Sequence, residues 1–329
     1  MKSQDLSLSS ELKNMLQPLN TSGKPKRIKI GHTYPHAVSR QYTADMRKIV
    51  RYMAKQVKKI VIPEINTQVS QRDGVRNDSL ITIDSAMLIS RVDRFEYLDD
   101  ELRFDEYEYD VIRDDIRLDS QGERMDGLMD ILVQIKLLKD NIFPGIALAN
   151  EYALKTYDAN ERNITSSIER SVGVAVKLPQ GDLTRVNDWV TNNELLIQDL
   201  QEEYLTRIQK SVANGYTTGK TNREIAKDIQ RATDITWRRA NTIARNEVGN
   251  LNAEINQQRS KELGIEKGIW RTMRDTRVRG NPGGLYPKAR PSHFANEGKA
   301  FDLDRGLNGE LPGEPPQCRC FYESVIELD

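Results

Sequence analysis

Apolar residues recur every three or four positions along much of the chain, and that period organises the first reading. Tyr42, Met46, Ile49, Met53, Val57 and Ile60 form one such stripe, with lysine and arginine on the other face, so a helix is expected there until Pro63. Phe95, Leu98, Leu102, Tyr109, Ile112 and Ile116 keep the same interval within an acidic stretch and predict helices with a charged outer face. Gly127 to Leu138 reads as a strongly apolar helix ended by Asn141 and Pro144, and residues 145–180 as helix followed by an extended piece from Val172 to Pro179. Further on, Ile197, Leu200, Tyr204, Ile208 and Val212 make a stripe, with Gly215 where a C-terminal cap belongs. Thr221 to Glu224 is a capping-box sequence that opens a short helix with Ile225 and Ile229 inward. Asp234 or Thr236 can cap a separate helix carrying Ala240, Ala244, Val248, Leu251 and Ile255, which stops at Gly264.

Beyond residue 265 the pattern changes. Gly268 to Met273 and Phe321 to Ile326 read as strands, and the segment between them is too polar and too broken by glycine and proline for helix. The fold class is therefore α+β: a mainly helical N-terminal and central region followed by a small mixed β module at the C-terminus. Residues 1–37, mixing polar, proline, glycine and basic residues, are expected as a basic arm or linker with little to bury. A helical N-terminal region spans 38–187. The last domain spans 188–326, with helices over 188–264 and the β module over 265–326.

The 329 residues include 49 basic and 49 acidic side chains, so no global field draws the chain toward nucleic acid. The balance is local: basic residues dominate up to Lys59 and acidic ones from Asp93 to Asp126. These are two solvated faces or two surfaces for oppositely charged partners. Two cysteines one residue apart make no disulfide framework, which points to a reducing compartment at synthesis. Met1 to Asp5 is polar, so no secretory leader is expected. The most apolar run, Leu128 to Leu154, is interrupted by Asp130, Lys136, Lys139, Asp140 and Pro144, which excludes a spanning helix.

Candidate chemistry concentrates in the β module. His293, Cys318 and Cys320 can supply three zinc ligands, with Asp275 or Asp302 needed to complete four, against the alternative of small buried thiols beside a hydrogen-bonded histidine. Asp275, Glu247 and His293 can be read as a metal-dependent hydrolytic set, or as buried ion pairing with Arg245, Arg277 and Arg319. Gly219-Lys220-Thr221 resembles the end of a phosphate loop, but Asn214 stands where that motif needs glycine and a helix precedes it, so ATP binding is rejected. A DNA-reading helix-turn-helix is disfavoured because the last helix presents no clear base-reading side chains. No Ser-His-Asp nucleophile arrangement is legible.

Taken together, these pieces resemble the phage head morphogenesis domain, the family of minor head proteins related to the Mu F protein and the minor capsid protein of phage SPP1. The resemblance covers about residues 188–326. It rests on Leu196-Ile197, Gly219 to Ala226, Arg239 to Glu247, Trp270-Arg-Thr272, Asp275 to Arg279, Ser292-His293, Phe301, Pro312-Gly313-Glu314 and Cys318-Arg319-Cys320. The family's usual Arg-Thr-Glu is Arg245-Asn246-Glu247 here, Gln317 stands where Asn is frequent, and Gly280 to Arg290 is an insertion.

The resemblance implies a structural virion protein, not an enzyme, with no catalytic residues and no required cofactor. Arg245, Glu247, Trp270, Asp275, Arg277, His293, Pro312, Gly313, Cys318, Arg319 and Cys320 then form a structural motif, with zinc on His293, Cys318 and Cys320 as the alternative. It implies association with the portal protein during procapsid assembly in the host cytoplasm, residence in the virion head in several copies, and a role in DNA packaging or delivery. Scaffold, major capsid protein and packaged DNA are further partners, the last through the basic N-terminal region. The rivals are a metal-dependent nuclease or hydrolase using Asp275, Glu247 and His293, and a DNA-binding head protein using the basic helix with Arg277 and Arg279.

Overall fold

The computed structural model describes residues 26–65, 123–172, 178, 183–218 and 220–328. The acidic helices expected between Phe95 and Ile116, and most of the extended piece from Val172 to Pro179, lie outside these residues. In chain order the elements are strand β1 (Lys26–His32), helix α1 (His36–Gln56), helix α2 (Glu123–Asp140), helix α3 (Ile146–Val172), helix α4 (Thr184–Thr217) and helix α5 (Asn222–Glu262). Strands β2 (Lys267–Arg271), β3 (Ala300–Asp302) and β4 (Phe321–Leu328) follow. Helices and a small C-terminal sheet are thus what the periodicity predicts. No helix among the described residues is long and apolar enough to cross a membrane.

The sheet has the order β1-β4-β2-β3, with every neighbouring pair antiparallel. Its outer member corrects the expectation of a basic arm over residues 1–37. Lys26–His32 alternates charged or small residues with Ile28, Ile30 and His32, and all seven residues pair with β4 in a register running from Lys26 opposite Leu328 to His32 opposite Tyr322. Two isoleucines were too few to mark a strand; the edge of β4 supplies the backbone partners that fix it. Helix α3 packs against β1, and the Ser167 hydroxyl accepts the Gly31 N–H at 2.9 Å. Ile30, Ile164, Ile168, Leu178, Leu263, Ile265, Trp270, Phe301, Leu303, Cys318, Cys320 and Tyr322 make one buried apolar cluster around the sheet.

Three expected helix ends are absent. Thr221 and Glu224 do form the capping box, the Thr221 N–H donating to Glu224 at 2.9 Å and the Glu224 N–H to the Thr221 hydroxyl at 3.3 Å. The helix they open continues without a break for 41 residues. Thr236, expected as a cap, turns its hydroxyl back onto the Ala232 carbonyl at 2.9 Å and lies buried inside α5. Gly264 stops the helix as expected: its φ is +69°, and the Ile265 and Gly264 N–H groups reach back to the Ser260 and Lys261 carbonyls, a Schellman end. Gly215 is no cap. It lies buried within α4, where an added Cβ would stand 2.4 Å from Ile225 Cγ1, so it is there for close approach of α5. Pro63 likewise does not end its helix, which passes through a π turn at Val57–Val61 and runs to residue 65. The stripe from Ile197 to Val212 is buried throughout, and Asn141 caps α2 by donating to the Leu137 carbonyl at 3.0 Å.

Contacts divide the chain into two units, one comprising residues 1–45, 145–196 and 241–329, the other 46–144 and 197–240. Boundaries between these units fall within α1, α4 and α5. A helix of 41 residues runs about 60 Å, roughly twice a small domain's diameter, so different stretches of it serve different cores. In the first unit a buried polar network ties β1, α5 and β4. His32 donates from Nδ1 to Asn256 Oδ1 at 3.1 Å and accepts at Nε2 from the Ser324 hydroxyl at 2.8 Å. Asn160 donates to the same Asn256 oxygen at 2.5 Å, and the Ser260 and Tyr322 hydroxyls lie 3.1 Å apart.

Burial pulls the pKa of His32 down to about 4, against the Asn256 hydrogen bond, which raises it. An unfolded histidine takes its proton near pH 6.5, so the stability held by neutral His32 is complete above that value and is lost as pH falls toward 4. The loss is expected to be about 2–3 kcal/mol in denaturant midpoints between pH 7 and 4, and His32→Gln should flatten it. A second expectation concerns Gly215→Ala. Helix propensity alone would favour alanine by about 1 kcal/mol, but the clash with Ile225 should make the variant less stable by about 1–3 kcal/mol in thermal unfolding.

Candidate functional site

Strand β2 and the loops that follow it bring the motif side chains together within the first unit. Trp270 is fully buried, its ring edge-on to His293 at 5.3 Å and to Phe301 at 5.9 Å. Gly268 lets this packing close, since a Cβ there would meet Tyr322 at 2.9 Å and Phe301 at 3.1 Å. His293 precedes a short 3₁₀ turn, Phe294–Asn296, and is anchored by the neighbouring Phe294 N–H, which donates to the Arg279 carbonyl at 3.0 Å. Its Nδ1 lies 3.4 Å from Cys318 Sγ and 3.6 Å from Cys320 Sγ, and its Nε2 lies 2.9 Å from Glu310 Oε2.

The remaining motif residues hold this centre in place. Arg319 donates to Asp275 at 2.6 Å, and the other oxygen of Asp275 accepts the Arg277 N–H at 3.0 Å. Arg277 itself is exposed. Glu247 accepts from Asn193 at 3.4 Å and from Asn246 at 3.1 Å, and burial raises its carboxyl pKa. The Tyr34 hydroxyl donates to the Arg245 carbonyl at 3.0 Å. Pro312 and Gly313 are buried; Gly313 has φ +95°, and a Cβ on it would meet Ala253 at 3.3 Å. Gly249 on α5 faces the same loop, which therefore approaches the helix backbone closely.

Asp275, Glu247 and His293 are thus not one hydrolytic set, since each is engaged with different partners. Among the described residues, the ligand atoms that converge are those of His293, Cys318 and Cys320, all within 4.8 Å of one another. Neither Asp275 nor Asp302 joins them: Asp275 holds Arg319, and Asp302 accepts the Asp304 and Arg305 N–H groups of its own turn. The carboxylate that does reach His293 is Glu310, which sequence reading passed over because a glutamate in a glycine-rich loop carries no local signal. The two thiols differ. The Cys320 hydrogen bond, with His293 beside it, pushes Cys318 well down, while that shared hydrogen bond and burial push Cys320 up.

Glu297 was also missed. Its carboxylate accepts the Thr272 N–H at 2.6 Å, the Thr272 hydroxyl at 2.8 Å, Arg274 at 2.9 Å and Arg271 at 3.3 Å, so it ties the 3₁₀ turn to the end of β2. The two single-residue departures from the family pattern touch each other: the Gln317 N–H donates to Asn246 Oδ1 at 3.0 Å. Gln317 has φ +56°, in the left-handed region that asparagine tolerates better than glutamine.

A cavity of about 540 Å³ opens beside this centre, lined by His293, Cys318 and Cys320 and by Tyr34, His36 and Tyr286. Arg40, Arg245, Arg277, Arg279 and Arg319 also line it. Burial, then Arg319 and Arg40, lower the pKa of His36, against Asp275, which raises it.

Residues 206–323 match the family model described as Phage Mu protein F like protein. This part of the chain resembles the Mu F-like family. The Mu F-like stretch thus runs from within α4 through the cysteine pair to β4. A protein of Haemophilus influenzae described as uncharacterized is 26% identical over 185 residues, covering 55% of this chain and 39% of that protein. An Enterococcus faecalis protein named NAD(+)--arginine ADP-ribosyltransferase EFV is 24% identical over 197 residues, covering 54% of this chain and 38% of that protein. The chain spans less than half the length of these curated relatives. No solved structure matches it.

Hydrogen bonds from Thr272 and Arg274 outweigh burial and hold the Glu297 carboxyl down to about 2, from an ordinary 4.5. Its contribution is therefore present above pH 4.5 and lost as pH falls through about 2. Glu297→Gln should lower stability at pH 7 by about 1–3 kcal/mol, with the difference from wild type vanishing near pH 2 in denaturant titrations.

Proposed function

We propose that this chain is a structural minor head protein of a tailed bacteriophage, joining head assembly in the host cytoplasm by binding the portal and remaining in the virion head in several copies. The carrying observation is the Mu F-like match over residues 206–323, whose motif side chains are engaged with one another. Trp270 fills the core, Asp275 neutralises Arg319, and Glu247 is hydrogen-bonded on both oxygens. Groups tied up in this way rigidify a module and are poorly placed to turn over a substrate.

The basic character of the cavity supports an anionic partner, either an acidic portal or scaffold surface or packaged DNA. Arg40, Arg245 and Arg277 line it without an ion-pair partner among the described residues. That makes a role in DNA packaging or delivery a reading of the same site, and it would show as binding that weakens steeply with salt.

Co-purification from infected cells tests the proposal. The portal should be recovered with the full chain, and Asp275→Ala, which leaves Arg319 unpaired, should reduce both thermal stability and portal recovery. Recovery of major tail components in place of the portal would overturn it. Release of nicotinamide from NAD+ by purified full chain, lost in a folded variant of the cavity residues, would overturn the non-catalytic part.

A further inference from the structure

We propose that His293 Nδ1, Cys318 Sγ and Cys320 Sγ bind one zinc ion, with water from the adjoining cavity as the fourth ligand. The argument is independent of the head-assembly reading and begins with distances. A tetrahedral ion with Zn–S about 2.3 Å and Zn–N about 2.0 Å separates nitrogen from sulfur by about 3.5 Å. The observed separations are 3.4 Å to Cys318 and 3.6 Å to Cys320. Both thiols therefore already stand at the ligand-to-ligand spacing of the ion, around a single ring nitrogen.

The histidine is also oriented for the task. Its Nε2–H donates to Glu310 at 2.9 Å, which fixes the neutral tautomer and leaves the Nδ1 lone pair facing the sulfurs. A carboxylate behind a ligating imidazole is the usual outer support of such a site. The surroundings suit the charge as well. Cys318, Cys320 and His293 are all buried, and an isolated dication there would be costly. Two thiols that release their protons on binding give the ion two thiolates and cancel its charge.

Trp270 supplies a third observation. Its buried indole N–H meets no hydrogen-bond acceptor, an orphan donor in the wall of the same buried cluster that holds both cysteines, where a thiolate is a better acceptor than a thiol. The same three residues line the cavity, which gives solvent a path to the fourth position. The Cys-x-Cys spacing does not stand in the way, because Pro315 to Cys318 forms a turn, the Cys318 N–H donating to the Pro315 carbonyl at 2.8 Å, and Gln317 takes a left-handed conformation within it. The ion would clip the loop bearing His293 to the segment leading into β4, where apolar residues are few.

The test uses the full chain, expressed in zinc-supplemented medium and dialysed against metal-free buffer, with metal content read by native mass spectrometry. One zinc per chain is expected. Replacement by Co2+ should give a thiolate-to-cobalt charge-transfer band and a tetrahedral ligand-field spectrum. Cys318→Ser with Cys320→Ser should abolish both. Because that double variant can fail to fold, Glu310→Gln serves as the second probe and should keep the stoichiometry while weakening zinc affinity about 10- to 100-fold. A folded wild-type chain that holds no stoichiometric zinc and shows no cobalt–thiolate band overturns the proposal. So does a cysteine double variant that still binds zinc one to one.

Discussion

The placement of β4 in the interior of the sheet is the constraint from which most of the structure follows. It pairs with β1 on one side and β2 on the other, so strands more than two hundred residues apart in sequence close on one element. The pairing buries Ser324 against His32 and Tyr322 against Phe301, and it carries Cys320 to the side of Trp270. Remove β4 and the N-terminal strand loses its ladder, the polar network loses Ser324, and the cysteine pair loses its anchor.

Two kinds of core meet in the unit that contains this sheet. Around Trp270 the packing is apolar and aromatic, with rings edge-to-face. Around His32 it is polar, with Asn160, Asn256, Ser260 and Ser324 hydrogen-bonded in one network that leaves the Asn160 Oδ1 without a partner. The apolar core is tolerant in the sense that shape decides its energy; the polar one depends on matching donors to acceptors. A neutral histidine at its centre makes it sensitive to acid, whereas Glu297, held ionised by the donors around it, keeps its hold until pH is far lower.

The motif residues have two aspects that the structure separates. Asp275 pairs with Arg319, and Glu247 holds Asn193 and Asn246, so these three act as ties. His293, Cys318 and Cys320 converge on one point beside a basic cavity, with donor atoms turned toward each other. Their common place in the Mu F-like stretch does not mean a common role: the first group ties segments together, while the ligand atoms of the second face one another.

Local chemistry was enough to read the helical stripes, the Thr221 capping box, the Gly264 stop and the two terminal-module strands, because each rests on side-chain spacing within one turn or one pleat. The resemblance to the Mu F-like family was legible for the same reason, as short runs in a characteristic order. What the local pattern misjudged were features whose partners lie far away. Gly215 resembles a cap until Ile225 is seen pressed against it; Thr236 resembles a cap until its surroundings prove helical on both sides; Lys26–His32 resembles an arm until β4 lies alongside. Glu297 and Glu310 were invisible because a carboxylate's role depends on which donors surround it, and those donors come from other loops. Residue type and spacing decide what a segment can form, but contacts across the sheet decide which of those forms is stable and which side chains meet.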